Sequence, residues 1–121
     1  MKKLILLLVL VSFSCKEQGS EATAQSEVLT ATEYKAAIAE KKVQLVDVRT
    51  PEEFEAGHIE NAVNIDFFRE DFKTAFTTLD KDEPIYIYCK SGNRSGKAAK
   101  ILTELGFKEI YDLEGGFSNY N

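Results

Sequence analysis

The stretch PIYIYCKSGNRSGKAAKILTELGF, residues 84–107, decides how the rest of the chain is read. Pro84 opens the run IYIYC, apolar and aromatic at successive positions, and alternation this weak predicts a strand buried on both faces, as central strands of parallel sheets are. The turn KSGN follows, and from Ser95 to Leu105 the apolar residues Ala98, Ile101, Leu102 and Leu105 recur at helical spacing, with Gly106 as the stop. A strand, a short turn and a helix therefore stand in line, with Cys89 at the end of the strand.

Upstream, Gln44–Val48 (QLVDV) predicts a second buried strand. Thr50, Pro51 and Glu53 then combine an N-cap, a first-turn proline and a reciprocal capping glutamate, opening a short helix that Gly57 closes. Ala62–Ile65 is a third short strand, and Phe68, Phe72, Ala75, Phe76 and Leu79 share one face of an expected amphipathic helix. Val28 and Leu29 form a first strand, followed by Thr30 and Glu33 at capping-box spacing before a helix with Tyr34, Ala37 and Ile38 on one face. Ile110–Leu113 is the last strand. Strands alternating with helices imply crossover connections, hence an α/β fold with a mostly parallel five-stranded sheet and helices on both faces. Ligands of such sheets sit beyond the carboxyl ends of the strands, where Cys89 falls.

The chain of 121 residues, 44% hydrophobic and 29% charged, suits one compact domain. Its formal net charge of −5 and scattered lysines offer no basic stripe for a nucleic-acid partner. MKKLILLLVLVSFSC has two lysines, an apolar run too short to span a bilayer comfortably, small serines and then Cys15. This is the layout of a bacterial secretory signal, residues 1–14, cleaved before a cysteine that resembles a lipobox cysteine and would be lipidated. Residues 15–26 read as a flexible polar tether and 27–121 as the domain. The expected location is the cell envelope, on a membrane through Cys15, or secreted if Cys15 is not lipidated. Two cysteines are too few for a disulfide framework, and a thiol kept unpaired in an oxidising compartment is either buried or used.

Several features of the turn suit an anionic sulfur. Gly92 and Asn93 tolerate positive φ, which lets successive backbone N–H groups curl toward one point. The helix start adds partial positive charge, and Lys90 and Arg94 add full charges. Such a ring of donors favours the reactive thiolate and would hold a persulfide or the oxyanions of a thiosulfonate donor without a metal or a cofactor.

Three ordered segments carry a family likeness. DVRTPEEFEAGHIENAVNI (47–65), CKSGNRS (89–95) and LEGGF (113–117) together resemble the signature segments of single-domain rhodanese-like sulfurtransferases, over nearly all of Val28–Asn121. The resemblance implies a three-layer rhodanese-like fold and a Cys89 persulfide held by the loop from Lys90 through Ser91, Gly92, Asn93 and Arg94 to Ser95. Arg94 would position the anionic donor, and Arg49 is a further candidate for substrate contact. Asp47 and Glu53 are expected as supports, with the arginine of DVR and the glutamate of the next helix tying the rim together. His58 belongs to the GHI turn, since a solitary histidine builds no metal site. Gly115 and Gly116 would let backbone approach beneath the loop. Tyr120 stands where the family commonly carries tryptophan.

The implied reaction takes sulfane sulfur from a small donor such as thiosulfate and passes it to an external thiol, on a small molecule or a protein, or to cyanide. Two other functions compete. Phosphatase or arsenate-reductase loops resemble C-x5-R, whereas Cys89 to Arg94 is C-x4-R, a smaller cradle. An envelope-tethered, non-catalytic binding module would need neither the cysteine nor the arginine that this chain keeps.

Overall fold

The computed structural model describes residues 24–121. The signal at residues 1–14 and the lipidation site at Cys15 lie outside the described residues, as does most of the expected tether. Five strands alternate with four α-helices: β1 Gln25–Leu29, α1 Ala31–Glu40, β2 Gln44–Asp47, α2 Pro51–Ala56, β3 Val63–Asn64, α3 Phe72–Ala75, β4 Ile85–Tyr88, α4 Asn93–Leu105 and β5 Glu109–Leu113. A 3-10 turn, Phe117–Asn119, follows. The strands form one sheet in the order β1-β5-β4-β2-β3, and every neighbouring pair is parallel. No helix among the described residues is long and apolar enough to cross a membrane.

β4 is the central strand, and its IYIY sequence serves both faces. Ile85, Ile87 and Cys89 enter the core with Val46, Val48, Phe76, Leu102 and Phe107, under α3 and α4. Tyr86 and Tyr88 point the other way, to Tyr34, Ile59 and Leu113 beneath α1. Each phenol that reaches deep finds a polar partner: Tyr34 donates to Ile87 O at 2.9 Å, and Tyr88 Oη accepts from Ile59 N–H at 3.0 Å. A tyrosine can therefore sit in a core without stranding its hydroxyl.

The two expected capping boxes are present, at Thr30/Glu33 and Thr50/Glu53. Two expectations change. The first strand begins at Gln25 rather than Val28, because Gln25 and Ser26 pair with Glu109 and Ile110 of β5 despite their polar side chains. The helix expected across Phe68–Leu79 is a single turn, α3, between irregular turns. Asp66 Oδ1 accepts the Phe68 N–H at 2.9 Å and turns the chain before a helix can start. Phe72 and Phe76 of the aromatic stripe still pack, with Phe67 meeting Phe72 and Phe72 meeting Phe76 edge to face at 5.2 and 4.9 Å, whereas Phe68 is 65% exposed and falls off the expected face.

The exit from β2 runs through α2 to β3 on one side, and the exit from β4 runs through α4 to β5 on the other. The carboxyl ends of the adjacent strands β2 and β4 thus flank a topological switch point, the usual crevice of open α/β sheets. Arg49 and Cys89 follow those two strand ends.

Candidate active site

Cys89 is 1% exposed, directly after β4. Gly92 N–H donates to its Sγ at 3.0 Å, which fixes the sulfur inside the turn. Gly92 makes that reach in the left-handed region, φ 106°, and caps α4; its carbonyl accepts the Gly96 N–H at 3.0 Å. The helix therefore begins at Asn93, two residues earlier than the apolar periodicity indicates, and its first N–H groups face the loop rather than a preceding turn. Lys90, Ser91 and Asn93 are exposed, Gly92 and Arg94 half-buried, and Ser95 fully buried with its hydroxyl 3.4 Å from Gly92 O.

The segment after β5 braces the turn from behind. Phe117 N–H donates to Cys89 O at 2.8 Å and Ser118 N–H to Lys90 O at 3.0 Å. Both bonds require backbone to pass against backbone at Gly116, where a Cβ would overlap the Lys90 carbonyl and come 2.6 Å from Ser91 N. Gly116 also has φ 67° and ψ −165°, a conformation essentially reserved for glycine. At Gly115 the obstruction is the Asn119 side chain instead.

Two guanidinium groups stand near the loop and do different things. Arg49 is 4% exposed, bonded through Nε and Nη2 to both oxygens of the fully buried Asp47 and through Nη2 to Gly57 O at 2.6 Å. Its guanidinium lies 4.5 Å from the Phe117 ring centroid. Through these bonds Arg49 holds rim segments together, while its Nη1 makes no hydrogen bond among the described residues. The glutamate expected to pair with it pairs elsewhere: Glu53 accepts from Arg94 Nη1 at 2.8 Å and Nη2 at 3.1 Å. The reason is direction, since Arg49 turns back to Asp47 two residues before it while α2 presents Glu53 toward α4. Arg94 draws Glu53 down to about 2, against the opposing effect of burial.

His58 stacks on Phe54 at 3.7 Å with Nδ1 2.8 Å from Phe54 O, at the α2 exit. No cluster of metal-ligating side chains occurs among the described residues. Asn64, which the sequence reading did not single out, donates to both Asp47 O and Arg49 O and ties β3 to the rim. Asp112 was missed as well: it is 5% exposed on β5, and its Oδ1 lacks a hydrogen-bond partner among the described residues. Its signal was present, because in the strand EIYDL an inward position carries a carboxylate.

The rhodanese-like domain family model matches residues 30–121. The chain belongs to the rhodanese-like family. It is 38% identical over 120 residues to an uncharacterised Bacillus subtilis protein, YqhL, covering 99% of this chain and 94% of the relative. The thiosulfate sulfurtransferase GlpE of Shewanella oneidensis is 38% identical over 81 residues, 67% of this chain and 78% of that enzyme. A tRNA uridine(34) hydroxylase of Erwinia tasmaniensis is 32% identical over 115 residues, but this chain spans only 33% of its length. Among solved structures, a rhodanese-like domain protein of Staphylococcus aureus superposes with a TM-score of 0.70 at 34% identity, covering 78% of this chain and 91% of that one. The rhodanese-like fold, with its parallel five-stranded sheet and flanking helices, is thereby shared with a solved relative, and the family includes proteins named as sulfurtransferases.

Proposed function

We propose that this chain is a sulfurtransferase that carries sulfane sulfur on Cys89. The observation that supports it most is the Gly92 N–H aimed at Sγ at 3.0 Å, from a turn that opens a 13-residue helix. Amides already directed at a sulfur stabilise negative charge there without reorganising, which is how preorganised donors assist group transfer. The Cys89 thiolate attacks the outer sulfur of thiosulfate; the sulfur–sulfur bond breaks, and sulfite leaves with the electron pair. Cys89 then holds a persulfide anion inside the turn. An external thiolate or cyanide attacks the outer sulfur and regenerates the Cys89 thiolate. Because Sγ is almost fully buried, the outer sulfur is the atom an acceptor meets, which favours transfer over a mixed disulfide. Arg94 keeps three of its five N–H donors beyond the two given to Glu53, enough to hold a donor oxyanion.

Intact mass after thiosulfate treatment tests the reading. Wild type is expected to gain one sulfur and Cys89→Ala none; failure of wild type to gain sulfur from thiosulfate or polysulfide overturns it in favour of a binding module.

We propose further that the domain is displayed at the cell envelope from a lipid on Cys15, on the strength of the residue 1–15 pattern and the polar residues that follow. The mass of the mature N-terminus decides: a lipidated Cys15 is expected, and an intact Met1 removes the proposal.

A further inference from the structure

Asp112 sits where a carboxylate is costly, and its neighbours explain what it can act on. It pairs in register with Ile87 of β4 and Val28 of β1. Laterally paired residues share a sheet face, and so do residues two apart, so Asp112, Ile87 and Cys89 all project toward α4. Strand spacing and rise put the Cα atoms of Asp112 and Cys89 about 8 Å apart. Between them lies the first turn of α4. There the fully buried Ser95 has its hydroxyl near Gly92 O and faces the Asp112 carboxyl. One loop residue, Gly92, therefore touches the sulfur through its N–H and the Ser95 hydroxyl through its carbonyl.

We infer that Asp112 is a positioning residue of the anion cradle: its charge, set beneath the first turn of α4, governs how tightly the Cys89–Ser95 loop holds an anion. The inference rests on the reading of that loop as an anion site. The helix N-terminus favours both negative groups, but an ionised Asp112 about 8 Å from the sulfur repels an anion held there, and a neutral Asp112 does not. Burial pushes the Asp112 carboxyl up to about 6, while Ser95 and the Leu113 N–H hold it down. Lys100 and Glu104 are the charged groups on the facing side of α4, of opposite sign and exposed; β1 presents Ser26 and Val28, and β4 presents Ile87. A cleft of about 400 Å³ between β1 and α4 adjoins Asp112 and gives protons a way in.

The test does not depend on sulfur transfer. Alkylation of Cys89 in the full chain is followed by peptide mass, with anionic iodoacetate and neutral iodoacetamide, from pH 5 to 8. The ratio of the two rates cancels the thiolate fraction and reports local charge. In wild type the iodoacetate to iodoacetamide ratio is expected to fall about two- to tenfold as pH rises through about 6, the scale of one charge at this range between water-like and protein-like screening. In Asp112→Asn the ratio is expected to stay flat and high. A flat wild-type ratio overturns the inference whatever the variant does. A step that survives in Asp112→Asn also overturns it and assigns the step to another group. Asp112→Ser provides the same comparison if the asparagine variant does not fold. Failure of thiosulfate to form a persulfide while the step is present retires the sulfurtransferase proposal alone.

Discussion

The two arginine–carboxylate pairs at the switch point look alike on paper and are opposites in kind. Arg49 and Asp47 are two residues apart, with side chains 5% and 0% exposed, and are sealed by Phe117 and Tyr88. Arg94 and Glu53 are 41 residues apart, 18% and 29% exposed, and join α4 to α2 across the rim. A sealed pair cannot exchange partners without stranding a charge in the core, so it defines geometry. A rim pair can yield one guanidinium edge to an incoming anion at little cost, so it can take part in binding.

The largest effect should come from breaking the sealed pair. Arg49→Ala leaves Asp47 buried and uncompensated and removes the donor to Gly57 O, and is expected to cost about 3–5 kcal/mol. A lowered denaturant midpoint at unchanged m-value would show it; a loss under about 1 kcal/mol would mean that the two pairs are equivalent after all.

Glu53→Gln should cost less than about 1 kcal/mol, because the pair is partly solvated and glutamine keeps the capping box. Glu53 is depressed from 4.5 to about 2, so its contribution is present above its unfolded value and is lost as pH falls through the folded one. Wild type and Glu53→Gln are therefore expected to differ in thermal midpoint at pH 6 and to converge near pH 2. Thiosulfate should bind the variant more tightly, since Arg94 is released; weaker binding would show that Glu53 positions Arg94 for the donor.

The smallest effect on stability belongs to Arg94→Lys, a few tenths of a kcal/mol, because the charge remains and only the forked geometry is lost. Persulfide formation from low thiosulfate should nevertheless slow. An unchanged thiosulfate dependence would remove Arg94 from the donor site.

The strand–turn–helix unit around Cys89 was legible because IYIYC and the Ala98–Leu105 spacing carry two distinct periods, and caps at Thr30 and Thr50 marked the helix starts. The sheet order was not, since no local signal says that β1 lies beside β5. The choice of partner for Glu53 also depended on where α2 points once packed, which motif spacing does not encode. Over residues 68–79 the aromatic spacing gave Phe72 and Phe76 as buried but placed the exposed Phe68 with them and missed the backbone, because the Asp66 turn competes with helix initiation. Asp112 was readable as a carboxylate at an inward strand position, and only the assembled sheet gave it a neighbour.

The direct continuity of Cys89 with β4 has one more consequence. β4 is hydrogen-bonded on both edges and covered on both faces, which places its amides among the slowest to exchange with deuterium. The sulfur is thus mounted on the part of the domain that opens last, while Lys90, Ser91 and Asn93 around it remain at the surface. Fraying at β1 or β3 can proceed without disturbing the sulfur's footing, and its geometry should persist until the domain unfolds as a whole.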